Sequence, residues 1–221
     1  MIPTDTPVSA MNLAELIDHA IVSVTAARHG KAAKVNPTDT DAQRQLNELG
    51  LKQAASLYRS LKGLPIDVVV SSPLPRAMGT AQIATGRAPT PVEALGVDPN
   101  PELPVNIMFE ALMYSPLIGE KAYFNHELAE HLKNWGRTAL KELIAIAVQL
   151  REETGKPVHM MAFGHAVCSN ILIWAIYEAL GQEEKVPKSV THVNLDEACA
   201  LRLEINDGVL GITTITPAPV Q

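Results

Sequence analysis

Residues Ala20–Lys31 read AIVSVTAARHGK, and this stretch decides the fold. It opens on a β-branched apolar run, Ile21-Val22-Ser23-Val24-Thr25, which has strand character. It ends in Arg28-His29-Gly30, followed by a second basic residue, Lys31. An apolar strand running into Arg-His-Gly delivers a guanidinium and an imidazole to the carboxyl edge of a sheet, where open α/β sheets keep their ligand crevices. Gly30 has no Cβ, so backbone N–H groups there are expected to approach an anion closely. Lys31 either adds positive charge at the mouth of such a crevice or is a solvated loop lysine, and the second reading is preferred. An ordinary surface turn also contains such a tripeptide, so the meaning of RHG depends on the rest of the chain.

On the N-terminal side, residues 1–10 are rich in Pro, Thr and Ser and read as loose. Asn12 caps a short helix over Leu13–Asp18, with Glu15 in its first turn. On the C-terminal side, Lys34–Asp41 is a polar loop containing Pro37. Helical spacing of Leu46, Leu49, Ala54, Leu57 and Leu61 predicts a helix over Ala42–Leu61, stopped by Gly63 and Pro65. Ile66–Val70 is a short apolar run suited to a buried parallel strand, and it leads into Ser71-Ser72-Pro73-Leu74-Pro75-Arg76. A helix over Ala77–Ala84 follows, ended by Thr85-Gly86. Two strand-to-loop transitions separated by a helix make a βαβ unit.

Residues 87–104 are rich in proline and poor in pattern. Val105–Tyr114 (VNIMFEALMY) fits strand or helix. The reading adopted is a short strand followed by a lid-like segment to Asn125, so that residues 87–125 shape specificity. Met108, Phe109, Met113, Tyr114 and Tyr123 either line a pocket there or pack as ordinary core. His126–Glu153 is a long helical region that Gly136 divides, ended by Gly155-Lys156-Pro157. Val158–Phe163 is a third buried strand, running into Gly164-His165-Ala166, and Val167–Leu180 is an apolar helix closed by Gly181. Two strands, Ala198–Ile205 and Val209–Thr216, flank Asn206-Asp207-Gly208, a strong hairpin signal. Alternating strands and helices with a closing hairpin predict a layered α/β sheet, mostly parallel with an antiparallel edge strand. No repeat or linker divides the chain, so residues 1–221 are expected to form a single domain.

Composition narrows the function classes. The chain has 221 residues, 47% of them hydrophobic, and a net charge of −6. An acidic balance argues against general nucleic-acid or anionic-membrane binding, so any anion site has to be a local cluster of positive charge. The two cysteines, Cys168 and Cys199, stand in apolar surroundings without zinc-type spacing and read as buried thiols. No secretory signal pattern and no apolar run of about 20 residues is present, which makes a cytoplasmic location the expectation.

Three apolar strands therefore end in Arg28-His29, Arg76 and His165. In a parallel sheet those ends share one edge, and two arginines and two histidines converge. Paired guanidiniums beside imidazoles suit a phosphoryl group, because arginine presents bidentate donors to phosphate oxygens and histidine adds a donor or a nucleophile.

The RHG stretch, SSPLPRAMGTA and FGHA, in this order, resemble the histidine phosphatase (phosphoglycerate-mutase-like) superfamily over roughly residues 21–180 and the closing strands. The resemblance implies a three-layer α/β/α sandwich. It also implies a phosphorylated histidine at His29, phosphoryl binding by Arg28 and Arg76, and a supporting role for His165. The activity implied is metal-independent hydrolysis of a phosphomonoester, or of a phosphohistidine in a phosphoprotein, through a phosphohistidine intermediate, with no cofactor. The family's acid is a glutamate some distance after the second arginine, for which Glu102 is preferred to Glu110. Where many members carry Glu or Asp and then Ser after RHG, this chain has Lys31 and Ala32, and position 35 is Val rather than Asn. Mutases usually carry those residues, so a phosphatase is favoured over a phosphoglycerate-type mutase. Lys31 and the unassigned acid also leave room for a phosphate-binding, regulatory protein of low turnover.

Overall fold

The β-branched run and the residues after it form strand β1 (Ile21–Arg28). It is preceded by helix α1 (Leu13–Ala20), whose start carries a capping box: the Asn12 side chain accepts from the Glu15 N–H and Glu15 accepts from the Asn12 N–H. The computed structural model describes residues 8–34, 40–97, 102–112, 122–192, 195–206 and 209–220, with 109–111 and 122 as backbone only.

After β1 come helix α2 (Glu48–Leu61), strand β2 (Val68–Ser71), helix α3 (Pro75–Thr85) and a two-residue strand β3 (Thr90–Pro91). Helices α4 (Pro104–Ala111), α5 (Ala122–Asn125) and α6 (Ala129–Thr154) lead to strand β4 (Val158–Gly164) and helix α7 (Ala166–Ala179). A short helix α8 (Lys188–Thr191) precedes the hairpin strands β5 (Ala200–Asn206) and β6 (Val209–Ile215). The loop residues Asp207 and Gly208 lie outside the described residues.

The strands pair into one six-stranded sheet in the order β3-β2-β4-β1-β5-β6. Every pairing from β3 to β1 is parallel, and the pairings of β5 with β1 and with β6 are antiparallel. Antiparallel pairing is thus confined to one edge. The two strands of the expected βαβ unit, β1 and β2, are parallel but not neighbours, because β4 lies between them.

Alternation along the strands builds a core on each face. Val158, Met160 and Ala162 of β4 join Val24 and Ala26 of β1 and Leu201, Leu203 and Ile205 of β5 beneath α1, α6 and α7. Met161 and Phe163 of β4 join Ala27, Val69 and Ala200 on the other face, beneath Leu57 and Leu61 of α2 and Ala81 and Ala84 of α3. This is the expected arrangement of helices on both faces of a mostly parallel sheet.

Several boundaries differ from expectation. Helix α2 starts at Glu48 rather than Ala42, because Asn47 caps it through the Gly50 N–H. The residues before it form a 3₁₀ turn at Asp41–Gln43 and an extended bridge between Leu46 and Ala32. The strand expected over Val105–Tyr114 is instead helix α4, as far as Ala111; Met113 and Tyr114 lie outside the described residues. Pro104 occupies its first position, where a fixed φ favours the helix and no N–H is lost. Val105, Met108 and Leu112, at helical spacing, join a cluster with Leu132 and Ile171. Gly136 does not divide α6. A Cβ there would lie 2.4 Å from Ile171 Cγ2, so the glycine lets α6 approach α7 closely.

Candidate active site

The parallel register carries three strand ends to one edge. Arg28 pairs with Gly164 across β1 and β4, and Ser71 pairs with Phe163 across β2 and β4. The residues that follow, His29, Ser72 and His165, therefore emerge together. Arg76 comes from the first turn of α3, which Pro75 starts. His165 is the N-cap residue of α7. Arg28, His29, Arg76 and His165 all line one cavity of about 420 Å³.

His29 is held in a defined tautomer. Its Nδ1 lies 2.6 Å from the Gly30 carbonyl oxygen, which only accepts, so Nδ1 carries the proton. Nε2 then presents its lone pair, and Arg76 Nε donates to it across 3.3 Å. Burial drives the His29 pKa down from 6.5 to about 4, and Arg76, Arg28 and Arg44 push the same way against the Gly30 contact. The imidazole is therefore neutral at pH 7. The His165 ring meets His29 edge-on at 5.2 Å between centroids, and its Nε2 lies 3.0 Å from the Ser72 hydroxyl. Burial first, then His29 and the two arginines, holds His165 well below the ordinary histidine value.

Arg76 is 5% exposed. Its Nη1 donates to the Asp41 carbonyl oxygen at 2.7 Å and its Nη2 to Asp41 Oδ2 at 2.9 Å. Arg44 Nη1 donates to the other carboxylate oxygen at 2.7 Å, while its Nε donates to the Ala33 carbonyl oxygen. Burial raises the Asp41 pKa, but Arg44 and Arg76 outweigh it and the net shift is downward. Arg28 Nη1 donates to the Leu195 carbonyl oxygen at 2.7 Å. Arg28 Nε is buried and has no hydrogen-bond partner among the described residues. Such a donor at a cavity wall suits an anion's oxygen.

The structure thus brings together Arg28, His29, Arg76 and His165, as expected. Glu102 is exposed just ahead of α4 and is not among the described residues that line the cavity. Glu110 lies within α4, and its side chain is outside the described residues. Lys31 is not simply solvated: it lines the cavity, with Nζ 3.8 Å from Glu197 Oε1. Gly30 plays a different part from the one expected. Its N–H donates to Thr80 Oγ1 at 3.0 Å, and a Cβ on it would lie 2.7 Å from the Gly50 carbonyl oxygen. Its missing side chain therefore serves the seating of the RHG loop on α2. Cys168 and Cys199 are buried, and burial pushes the Cys168 thiol up to about 12.

Sequence reasoning missed Asp41, Arg44 and Glu197. Asp41 and Arg44 fall in a stretch read as the end of a loop and the start of a helix, and only the 3₁₀ turn brings Asp41 to Arg76 with Arg44 on its other carboxylate oxygen. Glu197 precedes Ala198, which takes a positive φ of 58° at the entry to β5, and no local pattern announces that bend. Among the described residues, no group of three or more His, Cys, Asp or Glu side chains is placed to hold a metal ion. Nor is any described helix long and apolar enough to cross a membrane.

Residues 24–96, which hold RHG and SSPLPR, match the family model of the histidine phosphatase superfamily (branch 1). This segment, less than half of the chain, is similar to the histidine phosphatase superfamily. Solved structures extend the likeness over most of the chain. The phosphoserine phosphatase of Entamoeba histolytica, solved with 3-phosphoglyceric acid, aligns with a TM-score of 0.57 at 19% identity, covering 90% of this chain and 98% of that one. The phosphoglycerate mutase of Bacillus anthracis aligns with a TM-score of 0.56 at 16% identity, covering 90% and 94%. The alpha-ribazole phosphatase of Shigella flexneri aligns with a TM-score of 0.53 at 20% identity, covering 87% and 95%. A comparison with curated proteins gave no match. At these identities the likeness to the solved structures is one of fold.

Proposed function

We propose that this chain is a metal-independent phosphatase that hydrolyses a phosphomonoester, or a phosphohistidine in a protein, through a phosphohistidine on His29. The observation that carries the reading is the His29 ring. Its proton is held at Nδ1 by the Gly30 carbonyl, it is neutral at pH 7, and its Nε2 lone pair lies beside Arg76 in a cationic cavity. Nε2 attacks phosphorus in line, the bond from phosphorus to the leaving atom (an alkoxide oxygen, or a ring nitrogen when the substrate is a phosphohistidine) breaks with its electron pair staying on that atom, and a leaving alkoxide takes a proton from solvent water. The Gly30 carbonyl stabilises the positive imidazole ring of the intermediate. Water then attacks phosphorus, the bond from phosphorus to Nε2 breaks and returns the lone pair to the ring, and the attacking water gives up its proton to solvent. Arg28 and Arg76 balance charge on the three equatorial oxygens, the neutral His165 ring can donate a hydrogen bond there, and the unpartnered Arg28 Nε is placed to donate to one of them.

A second reading is a phosphate-binding protein of low turnover. It is favoured by the Asp41 carboxylate, which already occupies Arg76 as an anion would. Release of inorganic phosphate from a panel of esters, with and without EDTA, separates the two readings. Release that survives EDTA and vanishes in His29→Ala supports the phosphatase. Tight phosphate binding with no release from any ester supports the binding protein, and release undiminished in His29→Ala refutes the phosphohistidine route.

A further inference from the structure

Two residues of the cavity wall, Val97 and Cys168, also wall a second pocket of about 210 Å³. The remaining apolar wall of this annexe comes from Leu103, Pro104, Val105 and Trp135. The two spaces adjoin but differ in chemistry. The first is built around arginines and histidines, whereas the annexe is mostly apolar: Asn106 and His131 also line it, but no Asp, Glu, Lys or Arg does among its described lining residues. Its wall is also braced. Trp135 Nε1 donates to the Gly96 carbonyl oxygen at 3.1 Å, which ties α6 to the segment carrying Val97. Gly96 sits so close to Glu93 that a Cβ would lie 2.9 Å from its carbonyl oxygen. The thiol between the two spaces stays uncharged, since burial keeps Cys168 protonated. Open apolar space beside a phosphoryl site gains free energy when an apolar group displaces its water.

We propose that this annexe seats an apolar alkyl or aryl group on the leaving alcohol, so that the preferred substrate is a phosphomonoester with a hydrophobic tail. The proposal rests on the phosphatase reading for the word substrate, but the binding preference is independent of turnover. A tail that leaves phosphorus in line with His29 Nε2 passes Val97 and Cys168 and ends against Trp135 and α4. Each methylene seated there improves affinity about fourfold, the usual transfer free energy of a methylene expressed as a ratio.

The test compares hexylphosphonate with methylphosphonate, neither of which is hydrolysed, by titration calorimetry on the full chain. With about three methylenes seated, wild type binds the hexyl compound on the order of 50-fold more tightly. Val105→Trp and Leu103→Trp, each checked by its unfolding transition, fill the annexe and bring the hexyl-to-methyl ratio close to one. In wild type, hexylphosphonate but not methylphosphonate shifts the indole N–H resonance of Trp135, which needs no variant. A wild-type ratio under about threefold, or an unmoved Trp135 resonance, overturns the proposal. A ratio that survives in both tryptophan variants does so too. An intact ratio with no hydrolysis of hexyl phosphate supports the annexe and refutes only the phosphatase reading.

Discussion

Replacing His29 with glutamine tests the electrostatics of the site through stability rather than activity. Folding lowers the His29 pKa from 6.5 to about 4. Because the folded value is the lower one, the unfolded chain binds more protons between these two pH values. Stability therefore rises with pH across that window and is lost as pH falls from about 6.5 towards 4. Between pH 7.5 and pH 5.0, the ratio of the two proton-binding polynomials gives a loss of ~2 kcal/mol from this one group. His29→Gln cannot titrate and is spared that loss. Urea unfolding of both proteins at both pH values isolates the contribution as a double difference, in which groups common to the two proteins largely cancel. An equal pH dependence in wild type and His29→Gln refutes the claim that burial and the arginines keep this ring neutral.

Arg76→Ala removes the donor to His29 Nε2 and the partner of Asp41; phosphate release falls by roughly 10²-fold or more, and a histidine NMR titration shows the His29 pKa moving up. Gly50→Ala places a Cβ 2.2 Å from the Lys31 carbonyl oxygen; thermal unfolding shows a loss of about 1–3 kcal/mol, and calorimetry shows weaker phosphate binding as the RHG loop shifts. Glu102→Gln leaves phosphate release within about twofold of wild type, as expected for an exposed surface carboxylate; a large loss in a steady-state assay refutes the placement of Glu102 off the cavity wall.

The fold was legible where local pattern and tertiary role agree. Ile21–Thr25, Val68–Val70 and Val158–Phe163 are β-rich and apolar because both faces of their strands are covered, and that burial writes itself directly into composition. Their ends showed where Arg28, His29 and His165 would stand. Helix α4 was misread because Val105–Tyr114 is apolar almost throughout, so the helical spacing of Val105, Met108 and Leu112 is hidden among other apolar residues. Asp41 and Glu197 were illegible for another reason. Each reaches the cavity from an irregular segment whose path is set by distant contacts, Asp41 by Arg76, and Glu197 by Lys31 and Gln53. Gly30 misled because a glycine beside an anion site suggests open approach, whereas the absent Cβ makes room for Gly50.

The position of β4 between β1 and β2 has a consequence for how the chain comes into being. Arg28, His29 and Arg76 leave the ribosome early, yet no strand pairing joins β1 to β2 directly. They acquire a common edge only when Val158–Gly164 arrives and pairs with both. At ordinary synthesis rates that wait, from the end of β2 to the end of β4, is roughly 5–20 s. The pairing is strongly non-local, and closing it is expected to be the slow step of folding. Met161 and Phe163 enter the lower core in the same event that seats His165 beside His29. A nascent chain short of β4 therefore carries Arg28, His29 and Arg76 without the cavity they line, and the cavity arrives together with the core.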